Sequence, residues 1–476
     1  MQDILDKFKE YNNIVIFGAG SVANILYCYL NSMLCINNNI EYFIVSCYDG
    51  IDRKNNKLVK IFDDVKLELR EKIILIAVQN SVQNEIVEIL ESNNISNYVV
   101  IDSNLIINEF YRLLYKEPIS SHKILFYNMN GLGYGCNPKY IAEKLIELDD
   151  KGTLDLVWVT DGTEYDLPNR FRSVQIGTLD YYREVATAHI WINNTRMLSD
   201  IRKRGEQFYI QVWHGAAPFK RVEKDVEHNL SKTYVSNAIH DSQLADLFVS
   251  GSRFYTELYR KSFWYDGDIL EVGLPRQDIF WNIEQIRKKV RAYFGIAEDV
   301  LLVMYSPTFR NITNMSIYNI DFDILMSTIE KKFLKKAVLL VSKHPSNRKN
   351  NYQFNSDVDF IDVAEYEDFE ELLAATDILI SDYSGCVYDF SFTKKPVFLY
   401  QNDYDEYIKD RGFYTPVSEL PYITAKTTLE LCDKIEKFNN EKYINALSAF
   451  MDKLGNFDRG NASEIIAKRI IEICKN

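Results

Sequence analysis

Paired cysteines, an excess of positive charge and long apolar runs are all missing from this chain. Its seven cysteines are scattered, with no Cys-x-x-Cys pair. That argues against a disulfide framework or a thiolate zinc site and suits a reducing cytoplasm. Lys and Arg number 55 against 68 Asp and Glu, for a net charge of −13. Such a balance excludes a general nucleic-acid binder, which rests on a basic footprint. The longest apolar runs, such as Ile73–Val78 and Val338–Val341, are strand-sized. They fall far short of the ~20 residues of a membrane-spanning helix. The first residues, Met1-Gln2-Asp3-Ile4, do not form a charged start followed by an apolar core, so no signal peptide is read. No carboxylate cluster demands a metal, and no Ser-His-Asp arrangement is legible.

Apolar and aromatic residues are plentiful: 47% of the chain is hydrophobic, with 32 Tyr and 27 Phe, which a disordered protein would not carry. At 476 residues the chain is too long for one ordinary domain. Three α/β units are expected. Residues 1–116 read as a small Rossmann-like module, with strands at Ile14–Phe17, Tyr42–Ser46, Ile73–Val78 and Tyr98–Ile101. Residues 117–285 read as a second unit, opening on Ile124–Tyr127 and followed by the Gly-rich stretch 131–135 and a helix from Pro138 to Leu148. A helix from Arg276 to Ala297 leads into the third unit, 286–476, with strands at Leu301–Tyr305, Val338–Val341, Asp359–Asp362, Ile378–Ile380 and Val397–Tyr400 and closing helices. Ligands of open α/β sheets bind beyond the C-terminal ends of the strands, so a cleft between two lobes is expected.

The candidate site residues sit at such strand ends. Trp213-His214-Gly215 ends an apolar strand with an imidazole able to act as a general base. Lys343-His344-Pro345 repeats the pattern, where a histidinium would bind a diphosphate or assist a leaving phosphate. A single loop histidine is more often structural; two, one per lobe, favour function. Ser381-Asp382-Tyr383-Ser384-Gly385 reads as a turn into a helix N-terminus, with Asp382 as the cap and Ser381, Ser384 and Gly385 around a phosphate. Arg276 and Arg310 each follow a turn proline and suit bidentate phosphate binding. In the first unit, Gly18-Ala19-Gly20 matches a nucleotide-binding turn, with Asp49 the nearest acid for a ribose. A purely structural turn explains those glycines equally well.

Together these segments resemble the CDP-glycerol glycerophosphotransferase family, the teichoic-acid and capsule polymerases. The resemblance runs from Gly133-Tyr134-Gly135-Cys136-Asn137-Pro138 to Asp458-Arg459-Gly460-Asn461-Ala462-Ser463. Between them stand Trp213-His214-Gly215, Gly273-Leu274-Pro275-Arg276-Gln277-Asp278, Ser306-Pro307-Thr308-Phe309-Arg310, Lys343-His344-Pro345, Ser381-Asp382-Tyr383-Ser384 and Arg411-Gly412-Phe413-Tyr414. The resemblance implies a GT-B-like pair of Rossmann-like lobes. It implies transfer of a polyol phosphate from a CDP-activated donor to a hydroxyl of a growing polymer or lipid-linked acceptor, with release of CMP and no required cofactor. His214 would be the base and His344 would hold the diphosphate. Arg276, Thr308, Arg310, Lys343, Ser381, Asp382, Ser384 and Gly385 would line the donor side. Members are cytoplasmic and often peripheral on the inner face of the membrane. Two departures stand out: Ala216-Ala217-Pro218-Phe219-Lys220 replaces a common Thr-Pro-Leu-Lys, and Gly385 replaces a common second serine. A glycosyltransferase of the same fold using a nucleotide sugar is the alternative reading, and the transferred group stays open.

Overall fold

The protein is described by a computed structural model covering residues 13–34, 39–47, 50, 52–215, 219–308, 320–342 and 358–475. Its strands form three sheets. The first runs β1 (Ile14–Phe17), β2 (Ile40–Val45), β3 (Arg53–Lys54), β4 (Lys57–Ile61), β5 (Ile73–Ile76) and β6 (Tyr98–Val100), in the spatial order β3-β4-β2-β1-β5-β6. All its pairs are parallel except β3 with β4. Helix α1 (Ser21–Leu34) follows β1, and α2 (Ser103–Leu114) follows β6, capped by the Asp102 carboxylate on the Leu105 N–H.

The second sheet is wholly parallel: β7 (Ser120–Tyr127), β8 (Asp155–Thr160), β9 (Phe171–Gln175), β10 (Ala188–Asn193), β11 (Phe208–Gln211), β12 (Leu247–Ser250) and β13 (Asp268–Glu271), ordered β13-β12-β11-β10-β7-β8-β9. Alternate residues serve opposite faces, as the strand repeat requires. Ile124, Phe126, Leu156, Trp158, Ile190 and Ile192 face one core. Leu125, Val157, Val159 and Trp191 face another. Helix α3 (Cys136–Leu148) covers the first face, through Ile141, Ala142 and Leu145. The second is covered by α4 (Leu179–Thr187) and, from the N-terminal unit, by Ile106, Phe110 and Tyr111 of α2. The unit at 1–116 is therefore a layer of the first lobe rather than an appendage. Burying each of those large side chains contributes about 1.5–3 kcal/mol.

The third sheet, also parallel, comprises β14 (Leu301–Ser306), β15 (Ala337–Val341), β16 (Phe360–Asp362), β17 (Ile378–Ser381), β18 (Val397–Tyr400) and β19 (Ile423–Ala425), ordered β16-β15-β14-β17-β18-β19. Helices α5 (Ile283–Phe294), α6 (Phe369–Ala375) and the short α7 (Cys386–Ser391) belong to this lobe.

Two sequence expectations need correcting. The helix expected over 276–297 is broken at Asn282 (φ −130°, ψ 47°). A 3-10 turn spans Pro275–Trp281 before α5 begins, because side chains of this crossover are held by both lobes. The C-terminal helix α8 (Ala462–Lys475), expected to close the second lobe, packs on α3 of the first, with Ile466, Ala467 and Ile470 in their shared core. The chain thus crosses between lobes twice. The crossings are bonded to each other: Asp458 Oδ1 accepts the Leu274 N–H at 2.6 Å, and Asp278 accepts the N–H groups of Ala462 and Ser463 at 3.0 and 2.8 Å. Gly273 lies between them at φ +96°, where an added Cβ would sit 2.5 Å from the Asp458 carboxylate. Among the described residues no helix is long and apolar enough to cross a membrane.

Candidate active site

His214 lies just past β11, in a turn whose Val212, Trp213 and His214 carbonyls all accept side-chain hydrogen bonds. Trp213 takes a positive φ of +37°, which a non-glycine residue holds only when its surroundings dictate it. Its N–H donates to Gln211 Oε1 at 2.9 Å. Its carbonyl and that of Val212 accept from Asn137 Nδ2 at 2.7 and 2.9 Å. Asn137 is fully buried in the first turn of α3, and its Oδ1 accepts the Arg276 N–H at 3.0 Å. One amide therefore ties the histidine turn to the crossover. In the sequence Asn137 stands only within the family-like segment Gly133–Pro138, and its place directly after a Gly-rich stretch is the one local signal of its role.

His214 Nδ1 is 2.7 Å from the Asn194 carbonyl oxygen. A carbonyl only accepts, so Nδ1 carries the proton and Nε2 keeps its lone pair. The ring is half-buried, yet its packing is dense: desolvation pulls its pKa from 6.5 to about 4, and the positive charges of Arg276 and Arg196 act in the same direction. The imidazole is neutral at physiological pH and shaped as a base.

The second-lobe turn departs from the expected helix cap. Asp382 does not cap α7, whose N-cap is Gly385 without a side-chain bond. Its carboxylate turns back to Thr308, accepting from the backbone N–H at 2.9 Å and the hydroxyl at 2.6 Å, and from the Tyr383 N–H. Thr308 offers two donors at the end of β14, and those outcompete the distant helix. The turn is thereby braced between β14 and β17. Ser381 is buried and donates to the Ser306 carbonyl at 2.6 Å, so its hydroxyl is spent on the same brace. Ser384 accepts the Cys386 N–H at 3.4 Å.

Arg276 was expected to line the donor side, and its geometry differs. It is 3% exposed, and every guanidinium N–H has a use. Nε and Nη2 meet the Asp389 carboxylate at 3.1–3.3 Å. Nη1 donates to the His214 carbonyl at 2.6 Å and to Cys136 Sγ at 3.3 Å. Asp389 also accepts from Gln277 at 2.6 Å. Arg276 is an internal strut joining the His214 turn to α7, the helix that follows Gly385. A buried charge needs such pairing, which is why it faces Asp389 rather than solvent. Nearby, burial raises Glu370 to about 8 and Asp458 to about 8. Asp458 Oδ2 is buried without a hydrogen-bond partner, as suits a neutral carboxyl.

Lys343, His344 and Arg310 lie outside the described residues, as does Asp49; β15 ends at Val341, two positions before Lys343. Gly18 takes φ +123°, with its would-be Cβ 2.5 Å from the Ala77 carbonyl, so the turn after β1 requires glycine for its close approach to the β5 exit. Gly20 is exposed at the start of α1. Asn24, on the same helix, bonds Tyr182 and Asn55, joining the module to the first lobe. Among the described residues, no group of three or more His, Cys, Asp or Glu is arranged to hold a metal ion.

The model of the CDP-glycerol:poly(glycerophosphate) glycerophosphotransferase family matches residues 109–472. The chain belongs to that family. A teichoic acid poly(glycerol phosphate) polymerase of Bacillus spizizenii is 26% identical over 377 residues, covering 76% of this chain and 95% of that protein. A teichoic acid glycerol-phosphate transferase of Staphylococcus aureus is 28% identical over 384 residues, covering 76% and 96%. The polymerase of Staphylococcus epidermidis is 29% identical over 389 residues, and there the match spans only 52% of the relative's length. The solved structure of the wall teichoic acid polymerase TagF aligns with a TM-score of 0.67 at 27% identity, over 78% of this chain and 94% of that one. The second and third sheets are accordingly the two lobes of a GT-B-like glycerophosphotransferase fold. Most of the N-terminal module precedes the family match.

Proposed function

We propose that this chain transfers a polyol phosphate from a CDP-activated polyol to a hydroxyl of a teichoic-acid-like or capsular polymer and releases CMP. The observation that carries the reading is the tautomer of His214: Nδ1 is committed to Asn194, so Nε2 is a neutral base at the lobe junction. Arg276 keeps that base close to α7 and the Ser381–Gly385 turn, since one guanidinium touches both the His214 carbonyl and Asp389.

In the reaction, Nε2 takes the proton of the acceptor hydroxyl as its oxygen attacks the β-phosphorus. The bond from that phosphorus to the bridging oxygen breaks, and CMP leaves with the electron pair. Phosphoryl transfer asks mainly for positioning and charge neutralisation. Ser384 and Gly385 would supply donors to the diphosphate, with Lys343, His344 and Arg310 as cations for the leaving group; Thr308, expected on the donor side, instead spends its N–H and hydroxyl on Asp382 and holds the turn in place. No resident cofactor is needed. Relatives include poly(glycerol phosphate) and ribitol-phosphate polymerases, so glycerol is the first polyol to try and ribitol the second. The acceptor is a polymer or lipid-linked chain, which would bring the enzyme to the cytoplasmic face of the membrane as a peripheral protein.

The test incubates purified protein with a polyol-phosphate primer and, separately, CDP-glycerol, CDP-ribitol and UDP-sugars, and identifies the released nucleotide by chromatography. CMP from a CDP-polyol is expected. UDP release, with CDP-polyols inert, would overturn the reading in favour of glycosyl transfer.

A further inference from the structure

The histidine turn leans on a second buried cation, Arg196, which takes no part in the proton transfer itself. Arg196 follows β10 just past Asn194, and its guanidinium carbon lies 5.0 Å from the Trp213 ring centroid and 5.0 Å from that of Phe263. The Trp213 ring lies 4.5 Å from the His214 ring at 36°, and Phe263 meets it edge-on at 5.0 Å. A guanidinium at that distance is attracted to the ring's electron-rich face. Arg196 is itself immobilised: Nη1 donates to Asp241 at 2.9 Å and to Ser242 at 3.0 Å, and Nη2 to Glu223 at 2.7 Å. Asp241 also accepts the hydroxyl of Tyr209 at 2.7 Å, so the group is anchored in β11.

Buried ion pairs add little net stability compared with apolar packing, though they can impose a unique geometry. Here the geometry imposed is that of a strained turn. Trp213 and Glu223 both hold positive φ, +37° and +56°, and Arg196 touches both side chains. We propose that Arg196 is a positioning residue for the transfer: it fixes the Trp213 ring and, through that ring, the aim of the His214 imidazole. The inference rests on His214 being the base.

The charged and titratable groups around His214 come from several elements. Arg196 carries Glu223 and Asp241; Arg276, on the crossover, carries Cys136, Asp389 and Glu370; Tyr255 packs beside Gly215. Of these, Arg196 and Arg276 disfavour protonation of the ring. Loss of Arg196 should therefore leave a signature in pH as well as in rate.

The experiment compares Arg196→Met, Arg196→Lys and Trp213→Leu for kcat, KM for CDP-glycerol, the pH profile of kcat/KM and Tm. Arg196→Met should lower kcat about tenfold or more with KM within about twofold, since the interaction lost is one of alignment rather than donor binding. Its acid limb should move up by about half a pH unit. Arg196→Lys keeps the charge without the planar stack, so it should lose rate while its acid limb stays put. If Arg196→Met fails to fold, Trp213→Leu decides, because it leaves the ion triad intact and removes the relay. Normal kcat in Trp213→Leu, or a loss in Arg196→Met that merely tracks the folded fraction with an unmoved acid limb, would overturn the proposal. His214→Ala separates the two readings. If it retains turnover, the base assignment falls; if it is inactive while the Arg196 and Trp213 variants turn over normally, only the positioning role falls.

Discussion

The Nδ1 of His214 is 2.7 Å from the carbonyl oxygen of Asn194, and that contact decides which ring nitrogen can accept a proton. The same end of β10 delivers Asn194, whose side chain binds the Asn128 Oδ1 at 2.8 Å and the Met129 N–H at 2.9 Å. The orientation of the base is thus inherited from the centre of the first-lobe sheet.

His214→Ala should lose about 10²–10⁴ in kcat, the range of a positioned general base, while retaining donor binding. In the wild type the pKa of about 4 means that activity should persist through pH 6 and fall only as the ring protonates at lower pH. Steady-state kinetics from pH 4 to 8 check this; a half-loss near 6.5 would show an ordinary, solvated imidazole.

The Arg276–Asp389 pair should behave as one unit. Arg276→Met alone leaves Asp389 buried without its cation and should cost about 3–5 kcal/mol, and Asp389→Leu should cost a similar amount. The double variant should be less destabilised than the sum of the two. Denaturant titration of all four proteins measures that coupling. Additive losses would mean that the guanidinium and carboxylate act independently.

The buried carboxyl of Asp458 makes stability depend on pH in a defined sense. Its folded pKa, raised to about 8 by burial, lies above the ordinary value of 3.8. The folded state then holds the proton more tightly, so this contribution is complete below about pH 4 and is lost as pH rises towards 8. Glu370, at about 8, acts in the same direction. Asp458→Asn should flatten the decline of Tm between about pH 4 and pH 8, while keeping an acceptor for the Leu274 N–H. An unchanged slope would place the titration elsewhere.

Removal of residues 1–116 should not yield a soluble GT-B pair. It would strip α2 from the second face of the first-lobe sheet and expose Leu125, Val157 and Trp191 to water. Expression of residues 117–476 followed by gel filtration tests this; a monodisperse, active fragment would show that the module is dispensable.

Much of the framework was readable from apolar strand runs. Ile14–Phe17 and Val397–Tyr400 match the observed strands end to end because both are interior strands, paired on two sides and buried on two faces. The edge strands β9, with the sequence Phe171-Arg172-Ser173-Val174-Gln175, and β13 escaped, since half-exposed positions there carry polar residues and blur the pattern. His214 was legible from its Trp-His-Gly company. The role of Arg276 was not: its partner Asp389 is 113 residues away, and local sequence cannot show which of two facing groups will neutralise the other. Asp382 shows the same limit in reverse, as its cap position is valid locally but Thr308 offers better donors.

The two crossings between the lobes act as a double-stranded strap. The Asp458–Leu274 and Asp278–Ser463 bonds tie its two strands to each other, so neither crossing can shift without straining the other. A nick in one strand of the strap would leave the halves held by the other and by the shared core. Lys139 and Tyr140 on Asp368, and Tyr414 on Asp225, add further ties between the lobes, so the His214 turn and α7 are registered at several points at once rather than by the strap alone.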